Sequence, residues 1–368
     1  RTFFLTTFTL MAALCVAVVE IEEDGYEEYP RRTGLSPQYE ALLNWALDNG
    51  LDFEEKFDIS NTTEGGRGLI AKRDFKSGEM LMAIPKSLLF TPQVAQTSEF
   101  GKAFKSLGIP DCRTGTLEEC TNLLALHFLQ TYHNESSFFA PWMRILPRTL
   151  GTPVVWTDKE LEEIDGSNLH DICEGWRGRI RETFEATVPR LRRALGEERV
   201  PARLYSLEEY TWAYMTIFSR AFDIEMMAAG RQQRQRVMSP LIDMFNHGDV
   251  GSSYKFNDRL GQFELYTQSA YKAGEQVYLN YDSKNNADFL LQYGFVLPRN
   301  PYDYVGVVAA VGPEAEGYVT KRDLLAEMGV EVGQSHSLYM DGLPDLSLNS
   351  MRVLCASKDD LASQALRD

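Results

Sequence analysis

Short strand-like segments stand on both sides of a long helical stretch, and any fold for this chain has to accommodate that arrangement. Gly68–Arg73 and Glu79–Ile84 are separated by a Lys76-Ser77-Gly78 turn and stopped by Pro85. Far downstream, Tyr254–Asn257 and Gln262–Thr267 flank a polar turn at Asp258 to Gly261, the spacing of a hairpin. Gln276–Tyr281 follows as a third strand. Its lead-in, Tyr271-Lys272-Ala273-Gly274-Glu275, echoes Phe75-Lys76-Ser77-Gly78-Glu79 in the first block. The echo marks two turn-then-strand units and not a repeat protein.

From about Val94 to Arg236 the pattern is helical. Thr116 with Glu119 makes a capping box, and Leu117, Cys120, Leu124 and Phe128 mark one helical face behind it. Thr157 with Glu160 repeats the box, as does Ser206 with Glu209 ahead of Tyr210, Tyr214, Ile217 and Ala221. The Arg-rich run from Arg177 to Arg203 also holds Glu182, Glu185, Glu197 and Glu198. It reads as a solvated, charge-laced helix pair and not as a nucleic-acid patch. Upstream, Gln38 to Gly50 is an amphipathic helix with Leu42, Leu43, Trp45, Ala46 and Leu47 near helical spacing. Beyond Pro301 a helical tail is predicted, with Thr320 and Asp323 opening Leu324–Met328 and Gly329 closing it. Strands around a helical insertion, with a helical tail, define an α+β chain.

The chain has 368 residues, 44% of them hydrophobic and 24% charged, enough for one large or two moderate domains. Its formal net charge of -16 disfavours direct nucleic-acid binding, which depends on Lys and Arg neutralising phosphates. An acidic surface suits a partner that presents lysines. Cys15, Cys112, Cys120, Cys173 and Cys355 include no CxxC pair and the histidines are dispersed, so no metal site is expected. For Cys112 and Cys120 the expectation is two reduced, partly buried thiols, with a bridge in an oxidising compartment as the alternative. Phe3 to Val19 is apolar and uncharged, follows Arg1 and precedes an acidic run, the pattern of a signal or targeting segment. It points to an organelle such as a plastid or to the secretory pathway, with cytoplasm or nucleus otherwise. Membrane attachment is expected only if that segment is retained.

Single motifs say little. Gly65-Gly66-Arg67-Gly68 lacks the P-loop Lys-Ser/Thr and the GxGxxG spacing, though a tight turn there permits close backbone approach to a ligand. Ser239 to His247 pairs an apolar strand with a polar end at Asp243, Asn246 and His247, and an Asn-His dipeptide closing a strand is usually a turn. Tyr281 closes another apolar strand, and one tyrosine among 17 is more often core than catalyst.

Their order carries more. Gly66-Arg67-Gly68-Leu69 precedes one strand and Glu79 another. Asp243-Met244-Phe245-Asn246-His247 follows, and then Asn280-Tyr281-Asp282, Asn286-Ala287-Asp288-Phe289 and Tyr293-Gly294-Phe295. Together these resemble a SET domain. Phe138 to Arg148, Thr152 to Trp156 and Asn300-Pro301-Tyr302-Asp303 look like the subfamily typified by the plant Rubisco large-subunit lysine methyltransferase. Leu338 to Leu343 looks like its C-terminal substrate-binding domain, so the resemblance runs from about residue 38 to the end.

The resemblance implies a SET-domain β-fold with a pseudoknot over 38–300, split by a helical insertion at about 94–236. A signal-like segment and linker over 1–37 precede it, and a partial, helical substrate-binding region over 301–368 follows. It implies S-adenosylmethionine as cofactor, contacted by Arg67, Gly68, Glu79, Met80 and Leu81, by Arg220, and by Asn246 and His247 with Asp243 close by. Tyr281 matches the family's catalytic tyrosine, and Tyr293 and Phe295 match the walls of its substrate channel. The similar actin-histidine methyltransferase has an asparagine at the position of Phe222, and Arg220-Ala221-Phe222 looks more like the lysine enzymes. The expected activity is methyl transfer to a lysine of a non-histone protein, by a monomer. Histidine as acceptor and a non-catalytic SET-fold binding module are the alternatives. The chain carries no pre-SET or post-SET cysteines, unlike the zinc-bearing histone methyltransferases.

The chemistry fits those roles. In-line attack on a sulfonium methyl needs an uncharged amine, whereas a free lysine has a pKa of about 10.4. Reaching the neutral form near pH 7 costs roughly 4–5 kcal/mol. A narrow aromatic channel beside a sulfonium lowers that cost by desolvation and like-charge repulsion. A tyrosine hydroxyl can orient the amine, and positioning supplies much of the acceleration.

Overall fold

The computed structural model describes residues 36–362, apart from 52, 64–65, 113–115 and 229. The signal-like segment before Ser36 therefore lies outside the described residues.

Helix α1 (Pro37–Asp48) begins on a proline, whose missing N–H is harmless in the first turn, and buries Leu42, Leu43, Trp45 and Ala46. Strands β1 (Phe57–Thr63) and β2 (Gly66–Ala71) pair antiparallel, with Phe57 opposite Ala71 and Ile59 opposite Leu69. Strand β3 is Met80–Pro85. The helical stretch then includes α2 (Leu117–Tyr132), α3 (Asn168–Leu195) and α4 (Leu207–Arg220). Complete capping boxes form at Thr116/Glu119 and Thr157/Glu160. At Ser206 the hydroxyl accepts from the Glu209 N–H. The Arg-rich run is not a helix pair. One helix, α3, runs through it to Leu195 and ends where Gly196 takes a φ of 89°.

The helical stretch also stops earlier than the sequence predicts. After Arg220 the chain enters a hairpin of β4 (Ala221–Ala228) and β5 (Arg231–Met238). The run Arg231-Gln-Gln-Arg-Gln-Arg236 carries no apolar alternation, so nothing in it announced a strand. Ser239 to His247 is not the continuous strand expected either. Pro240 and a left-handed Leu241 (φ 72°) turn the chain into a short 3-10 turn at Ile242–Met244, and only β6 (Asn246–His247) is extended.

Strands β7 (Ser252–Asn257), β8 (Gln262–Thr267) and β9 (Gln276–Leu279) complete the architecture. One sheet has the order β1-β2-β9-β6 and another β3-β8-β7, so each joins strands from both ends of the helical insertion. Antiparallel β2/β9 sets Leu69 against Val277, and parallel β6/β9 sets Asn246 against Tyr278 and His247 against Leu279. The two echoing lead-ins meet in a bridge between Phe75 and Tyr271. Phe57 stacks on Phe75 at 5.3 Å and meets Phe245 edge-on at 5.3 Å, which anchors the residue preceding Asn246 in the core.

Helix α5 (Asn286–Tyr293) is capped by the Asn285 side chain and ends on left-handed Gly294. The chain then adds a ribbon of β10 (Tyr304–Val308) and β11 (Ser335–Tyr339) to the predicted helices. Helices α6 (Tyr318–Glu327) and α7 (Asp345–Cys355) enclose a small separate core of Leu324, Leu325, Val330, Val353 and Leu354. Cys112 and Cys120 are joined in a disulfide, which replaces the expected pair of thiols.

Candidate active site

Strand β6 is where the two strand blocks, the insertion and α5 converge. The Asn246 amide Nδ2 donates to the Arg67 carbonyl at 3.0 Å, tying β6 to the start of β2. The Tyr281 backbone N–H donates to His247 Nδ1 at 3.1 Å. The Tyr281 hydroxyl donates to the Phe245 carbonyl. Tyr281 is thus held at its backbone and at its hydroxyl by residues flanking Asn246. Its ring lies 4.8 Å from Tyr293 and 6.5 Å from Phe295. His247 packs on Phe289 at 4.7 Å and stacks on Phe295 at 5.9 Å.

Burial pushes the Tyr281 phenol up to about 12, against the opposing charges of Arg220 and Arg67, so the hydroxyl keeps its proton at neutral pH. Burial also holds the His247 imidazole below its usual value, with Asp249 acting the other way. A neutral ring agrees with Nδ1 serving as an acceptor.

Beneath them lies a buried ion pair. Trp142 Nε1 donates to Asp243 Oδ2 at 3.2 Å, Arg220 Nη1 is 3.7 Å from the same oxygen, and Nη1 donates to the Asp243 carbonyl at 3.0 Å. Burial raises the Asp243 carboxyl, and Arg220, Arg67 and the Trp142 hydrogen bond oppose it. The guanidinium stays charged, because no protein environment deprotonates arginine readily. Arg220 Nε and Asp243 Oδ1 are buried without a hydrogen-bond partner among the described residues, a condition native structures rarely leave unexplained.

These groups face one cavity of about 1410 Å³. Arg67, Arg220, Asp243, Asn246, His247 and Tyr281 line it. Phe222, Tyr293 and Phe295 line it as well, so most of the residues singled out in the sequence are brought together. Gly68 is not in the lining and pairs with Ser60 across β1/β2. Glu79, Met80 and Leu81 also lie outside this lining. The Glu79 carboxylate accepts the Lys76 N–H at 2.9 Å and pairs with Arg73 at 2.7 Å, closing the surface turn before β3. Met80 lines a separate small cavity with Met82, and Leu81 is core.

Sequence reasoning missed Trp142, Tyr254 and the loop Pro147–Gly151. Trp142 stands in the Phe138 to Arg148 run, where an apolar setting makes it look like core. Tyr254 lines the cavity and meets Phe222 edge-on at 5.3 Å, a contact created by the unpredicted β4.

The SET-domain family model matches residues 66–282, more than half of the chain, and the chain belongs to the SET-domain family. The α+β class and the resemblance found in the sequence are thereby borne out. Among curated relatives, the actin-histidine N-methyltransferases of Papio anubis and Homo sapiens are each 27% identical over 334 residues. Those alignments cover 89% of this chain and 54% of each relative, so the chain spans about half the length of the curated relatives it matches. The fold is similar to Rubisco LSMT bound to sinefungin and monomethyllysine, with TM-score 0.70, 23% identity, and coverage of 91% of this chain and 74% of that one. It is also similar to the SET domain of LSMT bound to lysine and AdoHcy, with TM-score 0.69, 24% identity, and coverage of 91% and 75%.

Proposed function

We propose that this chain is an S-adenosylmethionine-dependent protein-lysine N-methyltransferase. The observation that carries the reading is Tyr281, held at both ends by the residues around Asn246 and opening into an aromatic-walled cavity.

The residues present fit the cofactor. The cavity exceeds the ~300–1,000 Å³ of ordinary small-molecule pockets, so it has room for a cofactor and an entering side chain. Arg67 and Arg220 supply positive charge for a carboxylate, and the unpartnered Arg220 Nε is a donor in want of an acceptor. Asn246 and Arg67 are tied together, so they would hold it as a unit. When bound, S-adenosylmethionine supplies a methyl group on a sulfonium.

The protein's own groups do the rest. Tyr293, Phe295, Phe222 and Tyr254 line the cavity and strip water from an entering lysine, which disfavours its charged form. The ammonium proton leaves to solvent as the side chain enters. Tyr281 stays protonated and is no general base. Its hydroxyl hydrogen is committed to the Phe245 carbonyl, so the oxygen offers lone pairs to an amine N–H and orients the nitrogen. Phe222 packs against Tyr254 and Phe263 and offers no hydrogen-bonding group of its own to an imidazole nitrogen, which supports lysine over histidine.

Histidine is the second reading, supported by the names of the curated relatives. Incubating the purified protein with labelled S-adenosylmethionine and a cell lysate, then locating the label by mass spectrometry, separates the readings. Label on lysine is the expected result. Label on histidine overturns the acceptor assignment, and cofactor binding without transfer overturns the enzymatic reading.

A further inference from the structure

The loop Thr149–Thr152 touches the end of α5 more closely than any side chain would allow. A Cβ placed on Gly151 would lie 2.4 Å from the Gly294 carbonyl oxygen and 3.1 Å from the Gly294 Cα and carbonyl carbon. In the other direction, a Cβ on Gly294 would lie 2.6 Å from Gly151 Cα and 2.7 Å from Thr152 N. Gly294 has a separate reason to be glycine, its left-handed φ of 82° at the end of α5. Gly151 has no such conformational reason, since its φ lies outside the left-handed range. Proximity alone accounts for glycine there.

Two hydrogen bonds fasten the contact. The buried Thr152 hydroxyl donates to the Leu291 carbonyl in α5 at 2.5 Å, and Trp156 Nε1 donates to the Gly151 carbonyl at 3.0 Å. The residues on either side of Gly294 are Tyr293 and Phe295. The Tyr293 ring sits 4.8 Å from Tyr281 and its hydroxyl donates to the Tyr281 carbonyl at 3.4 Å. The loop therefore bears on α5 at the point from which both rings project into the cavity.

We propose that the Gly151–Gly294 contact is the spacer that sets the width of the channel beside Tyr281, and that Gly151 and Thr152 are positioning residues for the acceptor side chain. Its kinetic consequence rests on the methyltransferase reading, while its geometric consequence does not. An alanine at 151 has to open the contact by about 1 Å to reach an ordinary van der Waals separation. The element it pushes is backbone at a helix end, which carries Tyr293 and Phe295 with it. Misplacement on that scale costs a positioned reaction about 10–100-fold in rate.

The test compares Gly151→Ala, Thr152→Val and Thr152→Ser by acceptor kinetics, S-adenosylhomocysteine affinity and crystal structures. For Gly151→Ala we expect kcat/KM for the acceptor to fall about 10-fold or more, with S-adenosylhomocysteine affinity within about twofold and the Tyr281–Tyr293 ring distance changed. Thr152→Val, which removes the hydroxyl without a clash, moves the same quantities less, and Thr152→Ser restores them. Unmoved rings with wild-type kinetics overturn the proposal, and so does a cofactor affinity that falls in step with turnover. Should Gly151→Ala fail to fold, the Val/Ser pair at 152 decides. Should the wild-type protein methylate no acceptor, the methyltransferase reading falls, and the ring positions in the variant structures still decide this proposal.

Discussion

Asn246 joins two parts of the chain that lie far apart in sequence, because its amide donates to the carbonyl of Arg67. Alanine there removes polar surface from the cavity and releases the Arg67 backbone together. Asn246→Ala is expected to weaken S-adenosylmethionine binding by about 10–100-fold, the worth of one or two hydrogen bonds to a charged ligand. Calorimetry checks it, and an unchanged affinity contradicts it. His247 makes a prediction of different kind. Its Nδ1 accepts the Tyr281 N–H, and protonation replaces that acceptor with a donor. Burial holds its pKa below the usual 6.5, so the unfolded chain takes up the proton first. The stabilisation is fully present above about 6.5 and is lost as pH falls through the lowered value. His247→Asn, whose amide oxygen can take the same N–H, should therefore show a shallower loss of melting temperature on acidification. Equal slopes for the two proteins would contradict this. Asn246, His247 and Tyr281 were legible in the sequence because their types and order are unusual together. Trp142 was not, since its role is a hydrogen bond to buried Asp243, and nothing local to an apolar run reveals such a partner.

Among the elements, legibility follows how local the cause is. The capping box at Thr116 was readable because hydroxyl and carboxylate stand three residues apart and act on the same helix start. Thr116→Ala should cost about 1 kcal/mol of stability, measured by urea denaturation, and no measurable loss would contradict the assignment. Strands β3, β8 and β9 carried enough apolar residues and turn signals to be read. The β4–β5 hairpin did not, because its second strand is largely Arg and Gln, and its pairing stabilises what its own pattern does not. Bidentate Arg236–Asp223, at 2.9 Å for both contacts, is a cross-strand pair that only the register discloses. The two-residue β6 is a strand only by virtue of β9 beside it, and the β10–β11 ribbon likewise joins segments far apart in sequence.

For the whole molecule, the arrangement of strands around a helical insertion was visible, and the reason for it was not. Neither strand block forms its sheets alone, since β2 needs β9 and β3 needs β8. Closing those pairs brings the carbonyl of Arg67, the pair at 246–247 and Tyr281 to one cavity beside the end of α5. That Glu79 to Leu81 stand outside the cavity lining has the same origin. Position along a motif does not say which face of a strand meets the cavity, and β3 turns those residues to the surface turn, a second small cavity and the core.

In the proposed reaction this cavity transfers a methyl group, and the Tyr281 hydroxyl serves the transfer, not the cofactor. Single-turnover transfer by Tyr281→Phe, measured beside its S-adenosylmethionine affinity, tests it most directly. The expected rate is lower by about 100-fold, as for loss of one preorganised polar group, with affinity changed by no more than about threefold. Full activity in Tyr281→Phe would contradict it.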